Sequence, residues 1–478
     1  MKTITLAALT ALLSLAAAPV LAQTPGSKPD TAKPPAAFPQ AEAQSLDLAK
    51  QLIAMRSVRG EGNRTGDVAA KIRDTLVAGG WAPADIVITP LKDTAYIVAT
   101  WKGSNPKLKP LVISGHIDVV EANPMDWQRD PFTPVVENGY LFGRGASDMK
   151  FDAAVAVSSL IEMRRQGYRP KRSIVLEFSG DEETAMYTSR EIAQQLANAE
   201  MVINIDGGGG AFDETNFKPL YWSWQGAEKT YADYRLEVTN AGGHSSSPRP
   251  DNAIVQLATA LERIGGYHFK PELSPLTKAY FEKAAAFEAD PKLAAAMRAF
   301  AANANDEVAA ATLRASPAYV GKIGTTCVPT LISGGHAENA LPQRATATVN
   351  CRIFPGHKQT DIMAELARVA NVPQVSFTDI TEGGIASPAS PMRPDFIAAA
   401  DKAIKRAWPG VTVIPSQSSG ASDSMWFRAA GIPSYGASPS FSKDSDDFSH
   451  GLNERVHLSN IRPGIIYYLS LFTDLTSK

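Results

Sequence analysis

Net charge is almost missing from this chain: 47 Lys and Arg stand against 49 Asp and Glu, a formal balance of -2. That removes the electrostatic case for nucleic acid and leaves a small molecule or a peptide as the default ligand. Cysteine is nearly missing too, with only Cys327 and Cys351. They fall on two β-like runs, Thr326 to Ile332 and Ala345 to Ile353, joined by a loop that would let them pair antiparallel. A disulfide and two buried free thiols both fit that placement. No internal repeat or coiled-coil heptad occurs, and the Gly207 to Gly210 run lacks the Lys-Ser/Thr and the helix-opening Gly-x-Gly-x-x-Gly of phosphate-binding loops.

What the chain does have is length and apolar content. With 478 residues and 44% hydrophobic content it can bury a large core, and two domains are favoured over one. The amino terminus reads as an address: Lys2, an apolar stretch from Ile4 to Ala18, and Val20-Leu21-Ala22 before Gln23. The expectation is a signal peptide over 1–22, export to the periplasm or medium, and no stable membrane association after cleavage; the competing reading is an uncleaved anchor, since about 20 apolar residues can just span a bilayer. The absence of cysteine at the cut excludes lipid attachment there. Residues 23–40 are Pro-, Lys-, Ser- and Thr-rich and read as a solvated tether.

Three apolar runs stop at acids or a histidine: LVISGHID, SIVLEFSGDEE and MVINIDGG. Runs of this kind bounded by Gly predict buried strands of a parallel sheet, whose ligands gather at the carboxyl ends. His116, Asp118, Asp181, Glu182, Glu183 and Asp206 would then meet at one edge. So many carboxylates in one crevice repel one another, and bound cations are the natural remedy.

Each residue has two readings. His116 and Asp118 form either a structural pair or a metal ligand with the carboxylate that fixes its tautomer. Asp148, in Gly143-Arg144-Gly145-Ala146-Ser147-Asp148, is either the N-cap of the long helix that follows or a metal-bridging carboxylate. Glu182 and Glu183 follow a buried strand, where solvated charge is not expected; one can coordinate metal while the other exchanges protons with water. Asp206 is either a turn aspartate or a ligand.

Taken in order, Gly115-His116-Ile117-Asp118, the Gly143 to Lys150 segment, Asp181-Glu182-Glu183, Asp206, Gly243-His244-Ser245-Ser246 and His450-Gly451-Leu452-Asn453-Glu454 resemble the co-catalytic zinc hydrolases. That family includes carboxypeptidase G, yeast carboxypeptidase S, aminoacylase, carnosinase and succinyl-diaminopimelate desuccinylase. The resemblance runs from about residue 41 to the end. It implies two Zn²⁺ per chain, with Co²⁺ or Mn²⁺ as substitutes: one held by His116 and Asp206, the other by Glu183 and His450, with Asp148 bridging. It further implies Glu182 as general base, Asp118 as the orienter of His116, and hydrolysis by a zinc-bridging hydroxide. The His-x-x-x-Glu spacing to Glu454 selects His450 over His457, which is read as surface.

The implied fold is an α/β catalytic domain, with a mostly parallel sheet flanked by helices, in two parts (41–227 and 387–478). Strand and helix periods along 228–386 read as β-α-β-β-α-β, with an Ala-rich helical insertion at about 271–317; the resemblance makes this a ferredoxin-like lid or dimerisation domain, enlarged by that insertion. From the lid the resemblance draws His244 to polarise the scissile carbonyl, with Asn339 and Arg352 holding the substrate's oxygen and carboxylate; Gly420 and Ser422 match a substrate-contact loop. The implied function is an exopeptidase, carboxypeptidase- or dipeptidase-like, cutting an amide bond next to a free carboxylate. An N-acyl amino acid amidohydrolase uses the same apparatus, and a non-catalytic zinc-binding protein is the reading from another class. The enlarged insertion leaves open whether the chain is a monomer or a homodimer, and whether His244 acts on its own site or a partner's.

Overall fold

The computed structural model describes residues 37–446 and 448–477. The leader over 1–22 and residues 23–36 of the tether lie outside these described residues. The stretch assigned to the tether ends earlier than its composition suggests, because Pro39 opens a helix, Pro39–Ile53. Proline suits a first helical turn, where its missing N–H costs nothing. Among the described residues no helix is long and apolar enough to cross a membrane.

The large sheet is built around four parallel neighbours in the order Ile174–Ser179, Leu111–His116, Met201–Asn204 and Ser434–Gly436. All residues of these four strands are buried. This is why they read as continuous apolar runs: both faces are covered. The hairpin Ile86–Leu91 and Thr94–Trp101 extends the sheet antiparallel from Ile174–Ser179. Its alternation is broken by Pro90 and the Lys92-Asp93 turn. On the other side Pro219–Glu228 runs antiparallel to Ser434–Gly436 and carries Thr412–Ser418 beside it in parallel. The helix Lys150–Arg165, rich in Ala and Val, is buried along most of its length and packs with Pro39–Ile53 and Ile461–Thr476 in one core.

A separate four-stranded antiparallel sheet has the order Thr326–Gly334, Arg344–Ile353, Thr230–Thr239, Ser376–Asp379. The helices Ala253–Gly265 and Gln359–Ala370 cover it and close their own apolar core. Asn252 caps the first of these, its side-chain oxygen accepting from the backbone N–H groups of Ile254 at 3.0 Å and Val255 at 3.2 Å. Chain order and spatial order together are β-α-β-β-α-β.

One expectation needs correcting. The Ala-rich insertion forms Pro275–Ala284, Pro291–Ala302, Glu307–Arg314 and Pro317–Val320, yet these helices do not enlarge the four-stranded sheet. Their apolar faces, with Phe281, Met297, Phe300 and Leu313, close on Ile414 and Tyr221 of the large sheet. Ile414 and Tyr221 offer apolar surface at that flank, which the helices remove from water.

Cys327 and Cys351 are cross-strand partners and are disulfide-bonded, closing a sequence separation of 24. A loop of that size restricts the unfolded chain by about 3.5 kcal/mol in the chain-entropy account.

Candidate metal centre and active site

Parallel strands bring their carboxyl ends to one edge, and the chemistry collects there. His116 is the last residue of Leu111–His116, Asp206 lies two residues beyond Met201–Asn204, and Glu182 and Glu183 follow Ile174–Ser179. Asp148 and His450 come from loops that a small sheet draws together: Arg455–His457 pairs with Tyr140–Phe142, so the segments flanking those strands meet.

His116 Nε2 lies 2.9 Å from Asp148 Oδ1 and 3.5 Å from Asp206 Oδ1. His450 Nε2 lies 3.2 Å from Asp148 Oδ2 and 2.9 Å from Glu183 Oε2. Two groups thus form, His116 with Asp148 and Asp206, and Asp148 with Glu183 and His450, and within each the ligand atoms lie within 4.8 Å of one another. Asp148 belongs to both. It is not the cap of the following helix: Lys150–Arg165 starts after Met149, with no side-chain cap.

His116 Nδ1 is 3.1 Å from the backbone oxygen of Asp118. A carbonyl can only accept, so Nδ1 carries a hydrogen and Nε2 is turned to the carboxylates. Facing two acceptors, Nε2 must hold either a proton or a cation. The donor set, one imidazole nitrogen and one carboxylate on each side of a shared aspartate, therefore fits two divalent ions.

Asp118 does more than the sequence reading gave it. Its carboxylate accepts from the backbone N–H groups of Glu182 at 3.2 Å and Glu183 at 3.1 Å, so it holds the acidic turn as well as the imidazole. Asp181 leaves the cluster: it accepts from the backbone N–H groups of Tyr187 and Thr188, at 2.8 and 2.9 Å, at the start of the helix Tyr187–Gln195.

The electrostatics follow from crowding. Burial alone would lower the His116 pKa, but Asp206, Asp118 and Asp148 outweigh it and hold the imidazole well above its ordinary value. Hydrogen bonds to Asp148 and Glu183 push His450 up to about 10. Burial would raise Asp148, yet the two imidazoles keep it below the usual carboxylate range. Burial pushes Glu183 up to about 6 and raises Asp206. Glu182 is raised well above an ordinary glutamate by burial, with Asp423, Asp206 and Glu183 adding to it against His116. These shifts are what like charges under a low dielectric produce, and they mark functional sites.

A carboxylate outside the two metal groups organises the site. Glu454 is fully buried and accepts from Arg144 Nη1 at 2.7 Å, the backbone N–H groups of Gly145, Ser147 and Asp148 at 3.0, 2.7 and 3.0 Å, and the Ser147 hydroxyl at 3.0 Å. Arg144 Nη2 reaches the carbonyls of His450 at 3.4 Å and Gly451 at 3.2 Å. The pair ties the loop of Asp148 to that of His450, whose φ of +62° needs such support.

Beside the cluster lies a cavity of 680 Å³, with Asp148 and Asp206 in its wall and Phe212, Phe217, Tyr221 and Phe441 further along. Gly208, at φ +83°, passes so close to the Ser223 and Gly436 carbonyls that a Cβ would lie 2.7 Å from the first. Gly420 lines the cavity. Ser422 does not; its hydroxyl donates to Glu228 at 2.8 Å, inside a buried Glu228–Arg428 ion pair. His457, read as surface, is half-buried in the cavity wall against Phe217 and Tyr140.

His244, Asn339 and Arg352 sit elsewhere. His244 is exposed, pairs with Ala340, and its Nδ1 accepts from the backbone N–H of Ser246 at 3.2 Å. The carbonyl of Asn339 accepts from the backbone N–H of Ser245 at 2.9 Å. Arg352 lies over the Tyr231 ring, 4.7 Å from its centroid. Among the described residues, none of the hydrogen bonds or ion pairs of the acid-imidazole cluster reaches these three.

Residues 112–474 match the description of peptidase family M20/M25/M40. The chain belongs to this family. It is a hydrolase of amide bonds with a metal-dependent family's donor set. It is 27% identical over 390 residues to a probable carboxypeptidase S-like 2 of Dictyostelium discoideum, covering 79% of this chain and 74% of that one. Over 387 residues it is 26% identical to the N-fatty-acyl-amino acid synthase/hydrolase PM20D1 of Xenopus tropicalis, covering 78% and 74%. Aminoacylase-1B of Rattus norvegicus is 24% identical over 462 residues, covering 92% and 97%. Among solved structures, the M20 metallo-carboxypeptidase Sso-CP2 of Sulfolobus solfataricus superposes with a TM-score of 0.69 at 18% identity, covering 90% of this chain and 98% of that one. That likeness fixes the family fold.

Proposed function

We propose that this family member is an exported di-zinc exopeptidase that cleaves the amide bond next to a free carboxylate. The observation that carries the reading is Asp148 standing between two imidazole-carboxylate groups, with Asp148 and Asp206 in the wall of a cavity and the Glu182 carboxyl in the field of His116, Asp206 and Glu183. His116 and Asp206 would hold one ion, Glu183 and His450 the other, and Asp148 both. Zinc held there would supply Lewis acidity for the substrate carbonyl and for water. Glu182, whose carboxyl burial raises well above an ordinary glutamate, would take a proton from the attacking water and return it to the leaving amine. Asp118 fixes the turn that aims it. Arg352 would bind the substrate's carboxylate in its two-pronged fork, with Asn339 and His244 near the carbonyl oxygen. Export is supported by the disulfide, which suits an oxidising compartment; N-terminal sequencing of the mature chain should begin at Gln23.

The test is metal-loaded protein on dipeptides and on N-acyl amino acids. Dipeptide hydrolysis that a chelator abolishes and zinc restores is the expected result, with Co²⁺ or Mn²⁺ as weaker substitutes. Preference for N-acyl amino acids would favour the second reading, an amidohydrolase, for which the aromatic residues of the cavity and the acyl-amino-acid relatives speak. Two bound zinc ions with no cleavage of either panel would leave a zinc-binding protein without chemistry.

Among the described residues no hydrogen bond or ion pair joins His244 to the cluster, so its proposed role would call on a rearrangement or on a second copy. The strand Thr326–Gly334 is an open edge with Val328, Leu331 and Ile332 at 55%, 68% and 67% exposure. Such an edge pairs readily with a second copy, and we include a homodimer through it in the proposal. Leu331→Asp should convert a dimer to a monomer in sedimentation; a wild-type monomer at micromolar concentration would sink this part.

A further inference from the structure

The run Gly207 to Gly210 is no phosphate loop, yet it shapes a wall of the cavity beside the metal cluster. The carbonyl of Gly207 accepts the backbone N–H of Ser438 at 2.7 Å, and the N–H of Gly210 donates to the carbonyl of Ser440 at 2.9 Å. Phe441 pairs with Gly210, and a Cβ at Gly210 would collide with its ring. Glycine is what lets the 438–441 segment lie this close.

The two serines hold a carboxylate. Ser438 Oγ donates to Asp152 Oδ2 and Ser440 Oγ to Asp152 Oδ1, both at 2.6 Å. Asp152 stands in the first turn of Lys150–Arg165, where the helix dipole favours a negative charge, and it is 6% exposed. It lines the same cavity as Asp148 and Asp206. An ionised carboxylate offers about four acceptor positions, so the two hydroxyls leave each oxygen able to accept again.

What Asp152 lacks is a counter-charge. Among the described residues its side chain meets these two hydroxyls, and no cation pairs with it. The cations of the cavity wall are engaged elsewhere: Arg455 with Asp446 at 2.5 Å, and Lys443 over Phe217, 3.6 Å from the ring centroid. An ammonium thus already rests on this aromatic wall. Metal ions would answer Asp148 and Asp206, but Asp152 belongs to neither ligand group. Burial pushes Asp152 up to about 6, against the two serine hydroxyls. At neutral pH it is therefore a buried negative charge that an arriving cation would relieve.

We propose that Asp152 is the anionic end of an acyl-side pocket that takes the side-chain ammonium of a basic aminoacyl group, while Phe212, Phe217 and Phe441 cover its methylene stem. His244, Asn339 and Arg352, to which the leaving amino acid is assigned, do not line this cavity, so it falls to the other half of the substrate. An α-ammonium, one carbon from the scissile carbonyl, would stay at the metal cluster; a side-chain ammonium reaches along the wall. The proposal rests on the amide-hydrolase reading for the place of the scissile bond, and deepens it by naming the acyl side chain.

Binding is tested apart from turnover, by calorimetric titration of the full metal-loaded chain with lysine, norleucine, 6-aminohexanoate and hexanoate, alongside kcat/KM for lysyl-alanine and norleucyl-alanine. Lysine should bind at least about 10-fold more tightly than norleucine, and 6-aminohexanoate than hexanoate, the effect of a charged hydrogen bond. The same preference should appear in kcat/KM. Asp152→Asn keeps the shape and removes the charge; it should bring every ratio to within about 3-fold with metal content unchanged. The wild-type comparison needs no variant to fold: equal binding of lysine and norleucine, or no lysine binding, overturns the proposal. A gain of norleucine over hexanoate without a further gain for lysine would place the α-ammonium there and overturn it too, as would a lysine preference that survives Asp152→Asn. Selective lysine binding without cleavage of any amide would keep the pocket and remove the hydrolase reading; cleavage of both dipeptides at equal kcat/KM would do the reverse.

Discussion

Glu182→Gln should lower kcat by about 10²- to 10⁴-fold, the span that general acid-base catalysis contributes, while two metal ions remain bound. The side chain is not part of either imidazole-carboxylate group, so its amide should not disturb metal content measured by atomic absorption. Its carboxyl is raised by burial and by Asp423, Asp206 and Glu183, against His116. Glutamine keeps the shape and removes the proton acceptor. The KM should move little, because the lost interaction belongs to the transition state. A variant that retains more than a few per cent of wild-type kcat would remove Glu182 from the chemistry. Loss of metal together with activity would instead make it a ligand.

Glu454→Ala should be the most damaging single change outside the cluster. It withdraws the acceptor from Arg144, from three backbone N–H groups and from the Ser147 hydroxyl, and leaves the guanidinium of Arg144, 3% exposed, without its counter-charge. Breaking one side of a buried ion pair costs about 3–5 kcal/mol, whereas replacing both partners by apolar residues is often close to neutral. The single variant should therefore unfold at distinctly lower denaturant concentration, and Arg144→Met with Glu454→Met should recover much of that loss. Metal affinity should stay depressed in both, by about 10- to 100-fold as for other residues that orient ligands, because the loops of Asp148 and His450 lose their shared anchor. If the double variant regained full metal affinity, the pair would be a folding element alone.

The Arg144–Glu454 pair illustrates why part of the site escapes sequence reading. Both residues sit in segments that the resemblance singled out, but nothing in their spacing says that one buried carboxylate collects five donors from a segment some 300 positions away. The same holds for Asp152. In sequence it is an ordinary acid of a first helical turn, and only the packing of that helix against the 438–440 segment seats it in the cavity wall. Asp181 errs the other way: it has the right place at a strand end, but the backbone N–H groups of the next helix claim it first.

The amino-acid sequence by itself determined the parallel strands and the acids at their ends. Burial on both faces demands unbroken apolar runs, and ligands can only sit where those runs stop. It also determined the β-α-β-β-α-β order, since strand and helix periods differ along the chain. Tertiary structure alone decided which carboxylates face which imidazoles, that Cys327 and Cys351 are bonded, where the helical insertion packs, and that His244 lies outside the cluster. These depend on contacts between residues from 24 to 310 positions apart, whose free energies come from mutual burial and charge and leave no periodic trace in the chain.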